Sequence, residues 1–439
     1  MKRFAENLRN IFKIPDLRKK VLFTLFIFLL YRIGGHIPIP GINVKTWGSF
    51  MQAPSGGGLF ALYDLFVGGA FRRATIFAMG IMPYISASII LQLLGAVIPY
   101  FQKLQKQGEE GRKKITQFTR YGTIIIAFLQ GCGISVYIES LTTPQGPVVY
   151  HPGIGFKLMA VIALTAGAVL TMWLGELISD KGIGNGISLI IFIGIIARLP
   201  NAALQEIELL RTGGRGVVEE LLIIAIFILF TAAAVLLTQG TRRIPVQYAK
   251  KVVGRKIYGG QTSYLPLRIN AAGVIPIIFA QAIMFLPQTV LSFFPEASLV
   301  SSISTIFNPT TALYNAIYGA LIVFFSYFYT AIIFNPVDVA ENMKKYGSFI
   351  PGRRPGKQTS GYIDRVLSRI TLPGSVGLAL IAILPAILIR RANFSLFFGG
   401  TSLLIIVGVA LDTLQQIESH LLMRHYEGFL KSGKIRGRR

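Results

Sequence analysis

Long apolar runs without charged residues recur along the chain, and each is long enough to form a membrane-spanning helix. Residues 74–98, 269–295 and 312–334 carry no charged side chain at all. A bilayer core about 30 Å thick is crossed by roughly 20 mostly apolar residues in a helix. The runs cover residues 21–36, 74–98, 121–138, 158–175, 182–197, 221–238, 269–295, 312–334, 370–389 and 396–411. They predict an all-α polytopic membrane protein with ten transmembrane helices, because an open sheet leaves edge amides unsatisfied in lipid and a barrel shows alternating polarity.

The count of ten spans leaves an alternative open. The fifth and tenth runs are short, and Arg32 lies inside the first run, where it would snorkel to the surface or face the protein interior. Eight or nine spans with a re-entrant segment would also fit the pattern. The candidate for such a segment is Leu59–Phe77, an apolar stretch that Asp64, Gly68-Gly69 and Arg72-Arg73 interrupt. It predicts either a short re-entrant helix or an external amphipathic loop.

Positive charge is concentrated on one side of the predicted membrane. The formal net charge is +25, although only 14% of the residues are charged, against about 25% in soluble domains. With the N-terminus placed in the cytoplasm, the segments on that side hold 33 Lys and Arg residues, and the segments on the other side hold 8. The cytoplasmic segments are 1–20, 100–114, 176–181, 239–269, 335–369 and 412–439. Because an excess of Lys and Arg marks the cytoplasmic side, both termini are expected there.

The N-terminal segment and the single cysteine exclude a cleaved signal peptide and an intramolecular disulfide from the expectations. A basic stretch precedes Val21–Tyr31, but no small-residue cleavage site follows it, so a cleaved signal peptide is not expected. Cys132 lies in the third apolar run and can form no intramolecular disulfide.

The ten runs divide into two sets of five that share a motif. Gly80 and Pro83 lie in the second run, and Gly273 and Pro276 lie in the seventh, so the same G-x-x-P occurs at corresponding positions. Paired Gly and Pro interruptions are typical of inverted-repeat transport folds, although coincidence is the alternative, since both residues are common in membrane helices. The expected parts are an N-terminal segment (1–20), two halves (21–200 and 201–411) and a basic tail (412–439). Each proline is expected to remove a helical hydrogen bond and so weaken its helix.

Two long basic segments stand out on the cytoplasmic side, at residues 239–269 and 335–369. Both are too polar to enter lipid and too long for tight turns. Long loops are more often functional than idle, which favours a contact with a partner. The alternative is a pair of solvated loops that merely obey the positive-inside rule.

The chain lacks the residue patterns that an enzyme or a metal site requires. None of its four histidines forms an HExxH pair, and no span carries two carboxylates. Residues 352–359 resemble a phosphate-binding loop, but they have three residues between the glycines instead of four and no Ser or Thr directly after the lysine. Neither enzymatic activity, a cofactor nor a metal site is therefore expected.

Motifs in most of the runs resemble one known family. They are FAMGIMPYISASIILQLL (77–94), GIGNGISLIIF (182–192), RRIPVQYAKK (242–251), INAAGVIPIIFAQ (269–281), FNPVDVAENMKKYGSFIPGRRPGKQT (334–359) and GGTSLLIIVGVALD (399–412). In this order they resemble the bacterial SecY family, the channel subunits of the general secretion translocon, over essentially the whole chain. The resemblance implies an hourglass-shaped, protein-conducting channel between two inverted five-helix halves, with a central pore that also opens sideways into lipid.

The resemblance also implies roles for individual residues. The constriction ring of the pore corresponds to Ile81, Ile85, Ile187, Ile191, Ile278 and Ile405. The plug helix corresponds to the 59–73 region, with its core at Leu59, Phe60, Ala61, Leu62, Tyr63, Asp64, Leu65, Phe66, Val67, Gly68 and Gly69. The lateral gate corresponds to Gly80, Pro83, Gln92, Gly273 and Pro276. A ring of aliphatic side chains is suited to closing a pore, because a hydrophobic constriction forms a non-directional seal and gates by dewetting.

The resemblance assigns cytosolic partner contacts to the two basic segments. The residues are Arg242, Arg243, Lys250, Lys251, Arg255, Lys256, Arg353 and Arg354. It implies SecE and SecG as membrane partners, SecA or the ribosome at the cytoplasmic face, preproteins with signal sequences as clients, and the bacterial inner membrane as the location. A secondary transporter of small solutes is the competing hypothesis. It would be expected to depend on an acidic residue inside the membrane, and that signal is weak here.

Overall fold

Each of the ten apolar runs contains a helix in the computed structural model. The structure describes residues 14–52, 64, 66–143, 146–214, 216–248, 251–253, 256–258, 262–291, 293, 311–392 and 400–432. The helices are α1 (Pro15–Gly34), α2 (Val44–Gln52), α3 (Met82–Val97), α4 (Pro99–Lys106), α5 (Glu109–Ser140), α6 (Ile154–Lys181), α7 (Gly186–Ile196), α8 (Leu199–Arg211), α9 (Val217–Gln239), α10 (Ile275–Leu291), α11 (Ala312–Ile333), α12 (Pro336–Lys345), α13 (Lys357–Ala392) and α14 (Gly400–Ser432).

The strands are short and lie between the helices. They are β1 (Thr142–Thr143), β2 (Gly146–Pro147), β3 (Thr241–Tyr248), β4 (Lys251–Val253), β5 (Lys256–Tyr258), β6 (Thr262–Arg268) and β7 (Ser348–Phe349). Within the described residues, seven helical segments are long and apolar enough to cross a bilayer, or eight if α3 and α4, bent by 99°, form one span. The protein is therefore a multi-pass helical membrane protein, as the hydropathy pattern predicts.

The second and seventh apolar runs do not begin as helices. Residues 74–81 form a series of turns, and Ala74 and Gly80 adopt positive φ angles of 47° and 52°. Helix α3 begins only at Met82, so Pro83 lies in its first turn. The seventh run repeats this arrangement, since Gly273 has a φ of 62° and α10 begins at Ile275.

The expectation that Pro83 and Pro276 each remove a helical hydrogen bond and weaken their helix is therefore wrong. Both prolines are the second residue of their helix, where a backbone N–H has no partner within the helix anyway. The uncharged run makes each span look longer than its helix, because the turns before α3 and α10 are as apolar as the helices. Proline at this position favours the start of a helix instead of breaking one.

The described chain divides into two compact units, the first of which combines both ends of the sequence. The first takes its residues from Met1–Gln205, Phe285–Asn308 and Val409–Arg439, and the second takes them from Glu206–Met284 and Pro309–Gly408. The assignment of halves to 21–200 and 201–411 stays a prediction, because the structure does not test how the chain is duplicated.

In the first unit, α5 and α6 pack along their lengths, and α3 packs against α5. Small residues make this approach possible, since Ala127 of α5 and Ala160 of α6 are completely buried. Gly167 of α6 meets the turns before α3, where a Cβ atom would collide with the Ile76 carbonyl. The irregular 74–81 segment thus packs against this helix pair.

In the second unit, the two basic segments join into one small sheet. Strands β3 and β6 pair antiparallel from Thr241 opposite Arg268 to Gln247 opposite Thr262, and β7 from the other segment pairs with the far end of β3. Five apolar residues from both segments form a buried cluster under this sheet: Ile244, Val246, Leu267, Ile350 and Ile363. The interpretation of both segments as loops is therefore wrong, because they fold together around a core of their own.

Candidate functional site

The 66–73 segment, in the region matched to the plug, is buried in the first unit. Phe66, Val67 and Phe71 are each less than 5% exposed. Gly68 adopts a φ of 71° and lies so close to Gly194 of α7 that an added Cβ would stand 2.8 Å from the Gly194 carbonyl oxygen. Glycine is required on the segment side for the backbone angle and on both sides for the close approach.

Charged groups hold the same segment from two sides. The Asp64 carboxylate forms an ion pair with Arg198 (Oδ2 to Nη1, 3.2 Å) and accepts a hydrogen bond from the Arg72 amide at 2.8 Å. On the other side, the Gly68 carbonyl accepts hydrogen bonds from the guanidinium groups of Arg32 (3.3 Å) and Arg73 (3.2 Å). Arg32 therefore faces the protein interior. This is one of the two possibilities that its position in the first run leaves open, the other being a side chain that snorkels to the surface.

The six isoleucines matched to the pore ring belong to four helices and one turn. Ile81 precedes α3, Ile85 lies in its first turn, and Ile187 and Ile191 lie one turn apart on α7. Ile278 lies in the first turn of α10, and Ile405 lies on α14. All except Ile187 are at most 5% exposed. The first four belong to the first unit and the last two to the second, and their role as a ring stays a prediction.

Four of the residues matched to the lateral gate share one pattern of backbone hydrogen bonds at the starts of α3 and α10. After each G-x-x-P, the second residue beyond the proline donates a backbone hydrogen bond four residues back: Ile85 to Ile81 at 3.2 Å, and Ile278 to Val274 at 3.3 Å. Each glycine donates three residues back, Gly80 to Phe77 and Gly273 to Asn270. The motif is thus a helix-start motif that occurs twice, and the ring candidates Ile85 and Ile278 occupy the same place in it.

Gln92 of the gate set lies in the middle of α3. It is half-buried, and its side-chain amide donates a hydrogen bond to the Ser88 hydroxyl at 3.0 Å.

Four of the basic residues matched to partner contacts are exposed on the small sheet or in the turn before α13. Arg242 and Arg243 on β3 are exposed, while their neighbour Ile244 points into the cluster beneath. Arg353 and Arg354 lie in the turn before α13 and are also exposed. The Arg353 guanidinium stands 5.0 Å from the centre of the Tyr362 ring, and the Arg354 carbonyl accepts a hydrogen bond from the buried Thr359 hydroxyl.

Several predicted site residues cannot be placed in this arrangement. Leu59, Phe60, Ala61, Leu62, Tyr63, Leu65, Lys250 and Arg255 lie outside the described residues, and only the strand backbone is described for Lys251 and Lys256. Conversely, the residues predicted from the sequence include neither Arg198 nor the strands of the sheet. A signal for the sheet exists in the period-two alternation around Ile244 and Val246, and again around Leu265 and Leu267.

Comparison with known proteins decides the family. A sequence profile of the SecY family matches residues 75–414. The chain belongs to the SecY family. SecY relatives named protein translocase subunit include those of Aquifex aeolicus (47% identical, covering 97% of this chain and 100% of the relative) and Thermotoga maritima (43%, 98% and 99%). The Streptomyces galbus SecY is 49% identical, covering 96% of this chain and 98% of the relative.

Solved structures of channels show the same fold at low sequence identity. A structure described as a protein-conducting channel matches with a TM-score of 0.63 at 17% identity, covering 94% of this chain and 97% of that one. A second one, of a SecY protein whose plug domain stabilises the closed state, matches with a TM-score of 0.67 at 18% identity and the same coverage. A Sec61 channel in a canine ribosome complex matches with a TM-score of 0.61, covering the same shares of the two chains. These matches confirm the SecY-type all-α polytopic fold.

Proposed function

We propose that this chain is the channel subunit of a bacterial protein translocase. It moves unfolded preproteins across the cytoplasmic membrane and releases transmembrane segments sideways into lipid. The observation that carries the proposal is the 47% identity with a translocase subunit over 97% of the chain, with no large part of either protein left unmatched.

The six ring isoleucines would form the constriction of this channel. A channel for diverse sequences must bind none of them tightly, and aliphatic side chains provide contacts without directional hydrogen bonds. The burial of Ile81, Ile85, Ile191, Ile278 and Ile405 supports a closed resting state in which these side chains are not in contact with bulk water. A hydrophobic constriction of this kind blocks ions by dewetting.

The start regions of α3 and α10 would border the sideways opening. Each begins with an apolar turn at a positive-φ glycine, so the backbone ahead of the helix is irregular and lacks a helical ladder. Irregular backbone at membrane depth is tolerated where protein or a water-filled cavity surrounds it. This supports a location beside the pathway, with Gly80, Pro83, Gly273 and Pro276 fixing the geometry of the seam and Gln92 offering one polar side chain along it.

The small sheet and the turn before α13 would bind the cytosolic partner. Arg242, Arg243, Arg353 and Arg354 project from one folded element, so their spacing is fixed before a partner arrives. Arginine suits carboxylates and phosphates equally, which fits either an acidic ATPase surface such as that of SecA or ribosomal RNA. SecE and SecG would be the membrane partners, and both termini of this chain would lie in the cytoplasm.

The deciding experiment is reconstitution of the purified chain with SecE in lipid vesicles. Addition of SecA, ATP and a preprotein should bring the preprotein into a protease-protected state inside the vesicles. Vesicles with SecE alone are the control. Saturable uptake of a small solute without preprotein entry would contradict the proposal and favour the secondary transporter.

A further inference from the structure

A connection of six residues joins the small sheet to helix α10. Strand β6 ends at Arg268, which is paired with Thr241 of β3, and α10 begins at Ile275. The first residue of the connection continues the ladder, because the Ile269 amide donates a hydrogen bond to the Gly240 carbonyl at 2.9 Å. The sheet therefore passes into the start of α10 with little free chain between them.

One buried side chain fixes the turn inside this connection. Asn270 is 7% exposed, and its side-chain amide donates a hydrogen bond to the Gly273 carbonyl at 2.9 Å. The Gly273 amide donates in turn to the Asn270 carbonyl at 3.4 Å, so the two residues close a small ring. Pro276 has no N–H, and the Ile277 amide donates to the Val274 carbonyl. Because a carbonyl without a donor is costly in an apolar surrounding, Asn270 stabilises the positive-φ turn.

A phenyl ring takes the place of this amide in the equivalent turn before α3. Phe77 lies three residues before Gly80, as Asn270 lies three residues before its own motif glycine. The Phe77 ring stacks on Tyr31 of α1 with 5.6 Å between the ring centres, and an added Cβ at Gly34 would collide with it. The turn before α3 is thus held by packing against a neighbouring helix, whereas the turn before α10 carries a hydrogen bond of its own.

We propose that Asn270 is a positioning residue through which a displacement of the small sheet moves the start of α10, and this rests on the proposed channel function. With the ring closed the turn is stiff, so a cytosolic partner that shifts β6 shifts α10 with it. Without the ring, the glycine turn absorbs the shift, because glycine adopts many backbone angles at similar energy. Gly374 of α13 and Gly408 of α14 pack against Ile269 and Val274 at the two ends of the connection, so the fold should survive the loss of the ring.

The test measures how the rate of preprotein entry depends on the SecA concentration, in vesicles that contain SecE and with ATP present. Asn270→Leu keeps the approximate size of the side chain and removes the donor. The maximal rate should fall at least about fivefold, which corresponds to about 1 kcal/mol, the net contribution of one hydrogen bond. The SecA concentration at half-maximal rate should stay unchanged, because the exposed arginines that would bind the partner are untouched.

Thr371→Val is the matched control. Thr371 of α13 is buried in the same unit, and its hydroxyl donates a hydrogen bond to the Leu367 carbonyl at 2.9 Å. The change removes a buried bond from a side chain to the backbone that lies outside the connection, so the maximal rate should equal that of the wild type. An equal loss of rate in this control would overturn the assignment to Asn270.

A fluorescent label on α10 separates a lost coupling from a general structural defect. Leu286 lies toward the far end of α10 and is 39% exposed. In a Cys132→Ser background, an environment-sensitive dye on Leu286→Cys should change its emission when SecA and ATP are added. Asn270→Leu should abolish this change and leave the emission without SecA unaltered. A change that persists in Asn270→Leu, or no change in the chain that keeps Asn270, would overturn the proposal.

The rate measurements have their own decisive outcomes. A wild-type maximal rate in Asn270→Leu would overturn the proposal, and so would a raised half-maximal SecA concentration, because Asn270 would then act on partner binding. Asn270→Ala gives the same readouts if the leucine variant does not fold, and failure of both variants to fold would assign Asn270 to folding alone. If the wild-type chain moved no preprotein at all, the proposed function itself would fail, so the two failures are distinguishable.

Discussion

Arg353 and Arg354 are neighbours in the turn before α13, but their surroundings differ. Arg353 lies over the Tyr362 ring, so its guanidinium group already makes a cation–π contact within the chain. Arg354 contributes its carbonyl to the Thr359 hydroxyl, while its side chain is exposed beyond the sheet. The family resemblance singles out Arg354 for the partner contact, and its exposed side chain fits that prediction.

We predict that Arg354→Glu reduces ATP- and SecA-driven preprotein entry by at least about tenfold, because a charge pair in an interface is replaced by repulsion. The protein should remain folded, since the side chain is exposed. The measurement is the initial rate of protease-protected preprotein in vesicles. Arg365→Glu, the same change at another exposed position of α13, should keep the wild-type rate. A wild-type rate in Arg354→Glu would contradict the assignment.

Some features of single residues can be predicted from the sequence and others cannot. The G-x-x-P motif can be read from the sequence, and so can the interruption of an apolar stretch by Asp64. The partner of Asp64 cannot, because Arg198 is far along the chain and resembles any basic residue at the end of a span. The ring isoleucines come from the family resemblance, since most isoleucines in such a chain face lipid or neighbouring helices.

At the scale of elements, the small sheet depends on apolar residues from two distant segments. Ile363 of α13 is fully buried in the cluster beneath β3 and β6. We predict that Ile363→Ala destabilises the sheet by about 2 to 5 kcal/mol, because a cavity replaces the buried side chain. Limited trypsin digestion of membrane vesicles should then cut faster at the arginines of β3 and β6.

The matched control for this change is Leu372→Ala. Leu372 lies on the same helix, but 55% of it is exposed, so its truncation should leave the digestion rate unchanged. Equal rates for the Ile363→Ala variant and the wild type would mean that the cluster does not hold the sheet together.

The proposal that α3 and α10 border the lateral gate can be tested by crosslinking. With Cys132 replaced, cysteines on facing sides of residues 81–92 and 274–285 should form a short crosslink if α3 and α10 border the sideways opening. The crosslink should block preprotein entry, because the two helix starts can no longer separate, and reduction should restore it. Single-cysteine variants treated with the same reagent are the control. Full-rate entry in the locked protein would show that another pair of helices forms the gate.

The strands of the basic segments were predictable in part, because the alternation at Ile244 and Val246 has the period of a strand. The pairing of β3 with β7 was not, since it joins segments that no local pattern connects. The positions at which α3 and α10 begin could not be predicted for a different reason. Apolar turns and apolar helices are equally suited to a nonpolar surrounding, so hydropathy does not distinguish them.

At the scale of the whole molecule, the charge asymmetry predicts the orientation in the membrane. Tyr346 and Tyr150 are both well exposed, at 78% and 61%, and they lie in segments assigned to opposite sides. In a Cys132→Ser background, a membrane-impermeant maleimide added outside intact cells should label Tyr150→Cys and not Tyr346→Cys. Permeabilised cells, in which both should react, are the control. The reverse pattern would invert the topology.

The order in which the sheet is synthesised has a consequence for its biogenesis. Strands β3 and β6 are complete when residue 268 has been made, but β7 follows only at 348–349, roughly 80 residues later. At about 5–20 residues per second, β3 keeps an open edge for roughly 4 to 16 s. During this interval Ile244 and Val246 also lack the covering residues Ile350 and Ile363. A nascent chain halted in this window presents an unpaired strand beside an apolar surface, and it is then most exposed to quality-control proteases and to aggregation with other stalled chains.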